Sequence, residues 1–128
     1  MSVENGLENL RIELKKLENP AKIAVFKRFF KTGPDEYGYG DKFLGIPVPV
    51  LRGFAKRFVD LDFDDLSELL DSEYHEERFV ALQILVMQFA KAGKKQQKEQ
   101  QKNIYDFYVR NAERINNWDL VDTSAPQI

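Results

Sequence analysis

The spacing of hydrophobic residues predicts helices along almost the whole chain. Between residues 4 and 17, apolar side chains recur every three or four positions among glutamates and lysines, which is the period of an amphipathic helix. Helices are also predicted over five further segments, residues 21–30, 49–59, 63–71, 74–92 and 94–114, although the first half of the last segment has hardly any apolar stripe. No stretch keeps the alternation of apolar and polar residues that is typical of a half-buried strand. The pattern therefore predicts an all-α fold of about six helices.

Helix-ending residues and short connections arrange these helices in pairs. Pro20 disfavours helix in the residue before it, an aspartate (Asp62 or Asp64) can cap a short helix, and Gly93 is predicted to end the most apolar helix. The predicted antiparallel pairs are 4–17 with 21–30, 49–59 with 63–71, and 75–92 with 95–114. This rhythm predicts HEAT-like repeats in a single domain over residues 1–128, in which each pair buries its apolar face against its neighbour.

Two of the helices carry patterns that distinguish interior from surface. The helix over residues 74–92 is apolar around nearly its whole circumference, which predicts a place in the middle of the stack. Its first turn contains Glu76 and Glu77, acids that complement the positive end of the helix dipole. The helix over residues 49–59 is predicted to direct one set of side chains inward, namely Leu51, Phe54, Ala55 and Phe58. It is predicted to direct another set outward, namely Arg52, Lys56 and Arg57.

The composition is that of a soluble globular protein and excludes several kinds of chemistry. Hydrophobic residues make up 43% of the chain and charged residues 31%, and neither a secretory signal nor a membrane-spanning run is present. The absence of cysteine excludes disulfides and thiolate sites, and a single histidine leaves no room for a histidine metal cluster. We therefore predict a cytoplasmic protein without a cysteine or histidine metal site. We interpret His75, at a helix start, as structural rather than as an acid or base.

Residues 32–47 form the longest irregular stretch and contain candidate ligand contacts. Its Thr-Gly-Pro and Gly-Tyr-Gly sequences are typical of turns, and they lack the Gly-Lys-Ser/Thr ending of a nucleotide-binding loop. Tyr37, Tyr39 and Lys42 could contact a ligand from this loop. Alternatively, the apolar side chains within residues 43–46 pin the loop to the core.

The overall charge argues mildly against nucleic-acid binding, because phosphate contacts need lysine and arginine and the formal net charge is −2. The nineteen basic residues could nevertheless line one face of the protein. A basic run begins with Lys94 and Lys95 at the predicted start of the last helix, where it could meet phosphates. The alternative is a solvated charged face.

The end of the chain holds a ring and an acid at helical spacing. Asn116 or Asn117 can cap a new helix on which Trp118, the only tryptophan, and Asp122 stand at positions i and i+4. An indole face beside a carboxylate suits a planar cationic ligand. The alternative is that Trp118 anchors the core and that Asp122 is a solvated charge, as we interpret Asp119 in the first turn.

Three segments resemble those of the AlkD-like DNA alkylation repair glycosylases, in the family's order and spacing. They are residues 29–49 (FFKTGPDEYGYGDKFLGIPVP), 75–85 (HEERFVALQIL) and 116–126 (NNWDLVDTSAP). The resemblance extends from about residue 20 to the end and implies a superhelix of HEAT-like repeats. It also implies that alkylated double-stranded DNA is the partner. The implied reaction is hydrolysis of the N-glycosidic bond of N3- or N7-methyl purines without a cofactor.

The resemblance assigns roles to particular residues. Trp118 would contact the sugar and backbone of the damaged nucleotide, and Asp122 would stabilise the developing oxocarbenium ion and position water. The family is thought to hold the lesion against its concave helical surface rather than in a deep pocket. The candidate DNA-binding residues are Tyr37, Tyr39, Lys42, Lys94 and Lys95.

Relatives in this family are longer than this chain. They carry further helical repeats, a phosphate-binding arginine and a second active-site aromatic residue. We therefore expect this chain to be the N-terminal part of the family fold, with impaired activity and a nucleoid-associated location. Two alternatives stay open: a non-catalytic HEAT-like scaffold that binds DNA or protein, and an inactive homodimer that pairs through apolar surface at the end of the chain.

Overall fold

A computed structural model describes residues 3–23, 42 and 44–111, and this part of the chain is mostly helical. Its helices are α1 (Val3–Lys16), α2 (Val48–Arg57), α3 (Phe63–Leu70), α4 (His75–Lys94) and α5 (Lys98–Arg110). Residues 20–23 are also helical, at the predicted start of the second helix, whose remainder lies outside the described residues. The predicted all-α fold of HEAT-like helical repeats is confirmed.

The helix α4 lies at the centre of the fold, as predicted. It packs against α2, α3 and α5, and these are the closest helix pairs in the described part of the chain. Every residue from His75 to Leu85 is buried. Apolar burial contributes roughly 25 cal/mol per Å², so a helix that is apolar around its circumference is stable only when neighbours cover it on several sides. None of the described helices is both long and apolar enough to span a membrane.

The helix α1 buries one stripe of leucines. Leu7, Leu10 and Leu14 are buried at the predicted helical spacing. Ile12 and Leu17 belong to the same apolar set in the sequence, but they are 47% and 46% exposed. The buried face of α1 is therefore narrower than the sequence predicts, and the three leucines provide its apolar contact with the core.

Arg11 connects α1 with two other helices. Its Nε lies 3.1 Å from Oε1 of Glu77 on α4, and its Nη2 donates to the backbone carbonyl of Glu68 on α3 at 3.1 Å. A ring contact joins α3 in turn to α5, because Phe63 and Phe107 stack with centroids 4.6 Å apart. Polar and aromatic contacts thus supplement the apolar packing around α4.

A fully buried carboxylate, that of Glu76, holds residues 44–46 (the strap) against α4. Its Oε1 accepts a hydrogen bond from the backbone N–H of Leu44 at 2.9 Å. Its Oε2 accepts from the N–H groups of Gly45 and Ile46 at 2.9 and 3.4 Å. The sequence predicts only a helix-dipole charge at this position. The three donors compensate for taking the carboxylate out of water, so Glu76 joins two parts of the fold.

The strap also contacts the connection between α1 and the next helix. The N–H of Asn19 donates to the carbonyl of Leu44 at 2.7 Å. Gly45 has a φ of +80°, and a Cβ added there would lie 2.5 Å from the carbonyl oxygen of Asn19 and 3.1 Å from the backbone nitrogen of Ile23. Glycine adopts this backbone without strain and leaves space for the neighbouring chain.

Gly93 does not end α4, so that prediction is wrong. The helix continues to Lys94, and the residue with a positive φ in the following turn is Gln96, at +57°. A Cβ on Gly93 would lie 2.6 Å from Nε2 of Gln101. That amide donates to the backbone carbonyl of Phe89 at 3.2 Å. The glycine therefore makes room for a contact between α4 and α5 rather than for a left-handed turn.

The start of α3 is capped by Asp62, one of the two aspartates that the sequence offers. Its Oδ1 accepts a hydrogen bond from the backbone N–H of Asp65 at 2.9 Å. Burial, followed by repulsion from the Asp62 carboxylate, raises the pKa of Asp65 above its ordinary value of 3.8. The cap thus stabilises the helix and at the same time disfavours the charged form of the nearby acid.

Replacing Gly45 with alanine is expected to destabilise the protein by about 3 kcal/mol, because the new Cβ meets backbone atoms and φ is unfavourable for alanine. Gly53→Ala in α2 is the control, because nothing lies within 4 Å of its Cβ position. The control should stabilise the protein by about 0.5–1 kcal/mol. Urea denaturation measures both free energies of unfolding. Equal stabilities of the two variants would contradict the strap geometry.

Glu76→Gln is expected to cost about 3 kcal/mol of stability, because an amide NH₂ would face a backbone donor that now reaches a carboxylate oxygen. The neighbouring Glu77→Gln is the matched control. It removes the charge that pairs with Arg11 and complements the helix dipole. Because the Arg11 side chain is 38% exposed, the loss should be smaller, about 1–2 kcal/mol. Thermal and urea unfolding compare the two variants. A larger loss in Glu77→Gln would refute the proposed importance of the Glu76 hydrogen bonds.

Asp65→Asn is expected to stabilise the protein at neutral pH and to change nothing in strong acid. The folded-state pKa of Asp65 is raised, so its contribution to stability is complete below 3.8 and is lost as the pH rises through the folded pKa. An asparagine has no carboxyl group to ionise, so the variant does not lose this stability as the pH rises. The free energy of unfolding of both proteins should be measured from acid to neutral pH.

The control for this measurement is Asp64→Asn, which removes an exposed charge from the same turn. It should leave stability unchanged or lower it slightly, because an acid near a helix N-terminus is favourable. A difference between Asp65→Asn and the parent protein that stays constant with pH would show that titration of Asp65 is not its cause.

Candidate functional site

The structure describes only some of the residues that the sequence nominates for the site. The nominated residues that lie outside the described part of the chain are Trp118, Asp122, Tyr37 and Tyr39. Their roles stay predictions. Three nominated residues are described, and all three are exposed: Lys42, Lys94 and Lys95.

Lys42 lies beside the N-terminal end of α4. Its backbone N–H donates to the carbonyl of Glu73 at 2.9 Å, and its carbonyl accepts from the N–H of His75 at 2.8 Å. These bonds form a short parallel bridge with Tyr74. The Nζ atom lies 3.2 Å from Oε2 of Glu73, with both side chains more than half exposed. An exposed ion pair of this kind contributes about 0–1 kcal/mol, so the ammonium remains available to a phosphate.

The end of the candidate loop is fixed to the core. Leu44 and Ile46 are each only 1% exposed, and the Glu76 carboxylate binds their backbone N–H groups. The interpretation that apolar residues pin this loop is therefore confirmed for these two, while Phe43 lies outside the described residues. Lys42 precedes the pinned segment and stays exposed, so burial of the loop end is compatible with a ligand contact by its lysine.

Lys94 and Lys95 lie at the end of α4 rather than at the start of the last helix, where the sequence pattern places them. Lys94 is the last residue of α4, and Lys95 is its C-cap. Cations complement the negative end of a helix dipole there. Lys95 also lines a groove of about 460 Å³, together with Lys91 and the carboxylates of Asp60 and Asp62. The two acids offset the positive charge of this groove.

The described candidates therefore lie at opposite ends of one helix. α4 has 20 residues and is about 30 Å long, at 1.5 Å per residue. Double-stranded DNA rises about 3.4 Å per base pair, so this length corresponds to about nine base pairs. A duplex that contacts both sets of lysines must pass over the elements that cover α4, because the residues from His75 to Leu85 are buried.

His75 is 4% exposed. Its backbone N–H belongs to the bridge with Lys42, and it lies one residue before the buried Glu76. This environment supports the structural interpretation of the histidine. Within the described residues, no group of three or more His, Cys, Asp or Glu side chains could hold a metal ion.

A second groove, of about 600 Å³, lies between α1 and the start of α4, and two of the three cations that line it, Arg11 and Lys15, have acidic partners. Lys15 Nζ donates to the Tyr74 hydroxyl at 3.4 Å, which raises the pKa of Lys15, and it also pairs with Glu18 at 3.4 Å. Arg11 pairs with Glu77. These partners compete with any external anion, so this groove is a weaker candidate for phosphate binding.

The sequence pattern predicts that Arg52 and Lys56 face outward, but these residues are not among the DNA-binding candidates that the sequence nominates. Arg52 and Lys56 of α2 are both exposed. The available signal was the composition of α2, which contains basic residues and no acid. Charge patterning within single helices would have identified this surface, whereas the net charge of the whole chain concealed it.

The fold and these exposed lysines are those of an all-α helical-repeat protein with basic surface on more than one element. A family model described as DNA alkylation repair enzyme matches residues 10–128, from within α1 to the end of the sequence. The chain therefore belongs to the DNA alkylation repair enzyme family, which gives it a role in DNA repair with DNA as its partner. Comparisons with curated proteins and with solved structures yield no significant match.

Proposed function

We propose that this protein hydrolyses the N-glycosidic bond of N3- or N7-methyl purines in double-stranded DNA. The observation that carries the proposal is the extent of the family match, which includes residues 116–126. That segment holds Trp118 and Asp122 one helical turn apart in the sequence. The resemblance of this segment to the AlkD-like glycosylases supports the finer assignment of the reaction.

The chemistry places modest demands on the protein. An alkylated purine of this kind carries a positive charge, so the electron pair of the bond between C1′ and the base leaves with a neutral base. The sugar then carries the positive charge as an oxocarbenium ion. Water adds to C1′ and releases a proton. A carboxylate fixed beside the sugar lowers the energy of the cation, which is electrostatic stabilisation of the transition state.

The proposed roles follow from these demands. Asp122 stabilises the oxocarbenium ion and positions the water, while Trp118 contacts the sugar and backbone of the damaged nucleotide. Aromatic rings attract cations through their electron-rich face, so the indole also suits the charged lesion. Contacts to the duplex are assigned to the five residues named from the sequence: Tyr37, Tyr39, Lys42, Lys94 and Lys95.

Two features of the described residues support contacts with a duplex. Lys42 and the Lys94–Lys95 pair are exposed at the two ends of α4, a separation that a duplex can span. None of these lysines is buried in the core, so each ammonium group is accessible to a phosphate at the protein surface. The predicted homodimer and the nucleoid-associated location in the cytoplasm stay predictions.

Base release tests the proposed reaction directly. A duplex that contains one N7-methylguanine is incubated with the protein, and the free base is quantified by chromatography. Asp122→Asn is expected to lower the rate about 100- to 1,000-fold, the usual effect of removing one group that stabilises a developing charge. Asp119→Asn is the matched control, because it removes a neighbouring acid that we interpret as a helix-dipole charge. It should retain the parent rate.

The possible outcomes separate the alternatives. An unchanged rate in Asp122→Asn would remove Asp122 from the mechanism, and equal losses in the two variants would show that the effect is not specific to Asp122. Binding of the duplex without any base release by the folded parent protein would refute the glycosylase and favour the non-catalytic scaffold. Circular dichroism verifies that each variant keeps the helical content of the parent.

A further inference from the structure

The surface of α2 differs in charge from that of the other described helices. Its sequence, VPVLRGFAKR, has three cations and no acid. Of the four side chains predicted to point inward, Leu51, Phe54 and Ala55 are buried and Phe58 is partly buried against the core. A helix that buries one apolar face and whose charged side chains are all cations attracts anions without competition from acids of its own.

The three cations of α2 are not equivalent. Arg57 pairs with both carboxylate oxygens of Glu13 at 2.9 and 3.0 Å, and its guanidinium lies 5.2 Å from the ring centroid of Phe58. Arg52 and Lys56 are exposed, and within the described residues neither is recorded in an ion pair. The two stand at i and i+4, with Cβ atoms about 6 Å apart on one side of the helix.

The surface beside these two cations carries no side chain at Gly53, which follows Arg52. Apart from its chain neighbours and the backbone of its own helix, no atom of the described residues lies within 4 Å of the position where its Cβ would be. A polymer that contacts Arg52 and Lys56 therefore meets no side chain at position 53. Glycine at such a position permits close approach of a ligand.

Several other basic groups in the described part of the chain have acids beside them. Asp60 and Asp62 line the same groove as Lys91 and Lys95, and Glu73 pairs with Lys42. The helix α5 carries Glu99 and Asp106 among its lysines. Charge complementarity to a polyanion therefore distinguishes the Arg52–Gly53–Lys56 surface of α2.

We propose that Arg52 and Lys56 bind neighbouring phosphates of one strand of duplex DNA, with the strand lying over Gly53. This inference rests on the family's DNA partner and adds a phosphate contact that the proposed reaction itself does not require. The planar guanidinium of Arg52 can donate two hydrogen bonds to one phosphate, while Lys56 contributes a point charge to the next. Such contacts fix the position of the duplex without reading its sequence.

The salt dependence of binding tests this assignment. Fluorescence anisotropy measures affinity for a short unmodified duplex, using the whole chain and its Arg52→Gln/Lys56→Gln variant. Each lost phosphate contact should reduce the slope of log affinity against log salt by about 0.9. From about 50 to about 200 mM salt, the affinity of the parent protein should therefore fall about tenfold more than that of the double variant.

The matched control is Lys98→Gln/Lys102→Gln on α5. It removes the same charge at the same i, i+4 spacing from exposed positions. The control should keep the parent slope. Equal reductions in both double variants would show a general charge effect and overturn the proposal. An unchanged slope in the α2 variant, or failure of the parent protein to bind the duplex, would overturn it as well.

This measurement is independent of base release. Unmodified duplex presents no lesion, so Asp122 takes no part in the assay. A slope that depends on α2 without base release would support the phosphate contact and refute the glycosylase. Base release with an unchanged slope would support the glycosylase and refute the phosphate contact on α2.

Discussion

The hydrogen bonds of the Glu76 carboxylate are the interaction on which the first part of the fold depends. A buried charge is costly unless donors surround it, and here three backbone N–H groups of the strap provide them. The strap in turn receives a hydrogen bond from Asn19 after α1. One side chain on the central helix thus positions the strap, and the strap meets the beginning of the helix that follows α1. Apolar packing alone would not specify this arrangement, because it has no direction.

The sequence predicted the features that depend on local patterns and missed those that depend on distant partners. The central place of α4 and an aspartate cap at the start of α3 follow from periodicity and residue type, although the sequence leaves the cap open between Asp62 and Asp64. The role of Glu76 could not, because its donors lie 30 to 32 residues away in the sequence. The prediction for Gly93 is wrong for the same reason. The pattern predicts a helix end, whereas the missing side chain of the glycine leaves space for Gln101 of α5.

Residue types were a poorer guide to the site than to the fold. The sequence identified Lys94 and Lys95 as basic, but it could not show that acids share the groove of Lys95. The net charge of −2 likewise conceals an uneven distribution, since α2 has no acid at all. A negative net charge is compatible with membership of a DNA repair family. The electrostatic field near one helix, rather than the total charge, determines where a polyanion binds.

The contacts of Arg11 have a consequence for how α1 is aligned. Leucines repeated along a helix can slide by one turn, 5.4 Å, and exchange one apolar partner for the next at little cost. Such a slide would separate Arg11 from Glu77 and from the carbonyl of Glu68 at once. The arginine therefore fixes the register of α1 more than it adds to stability. Contacts with α3 and α4, both distant in sequence, thereby fix the position of α1 along its axis.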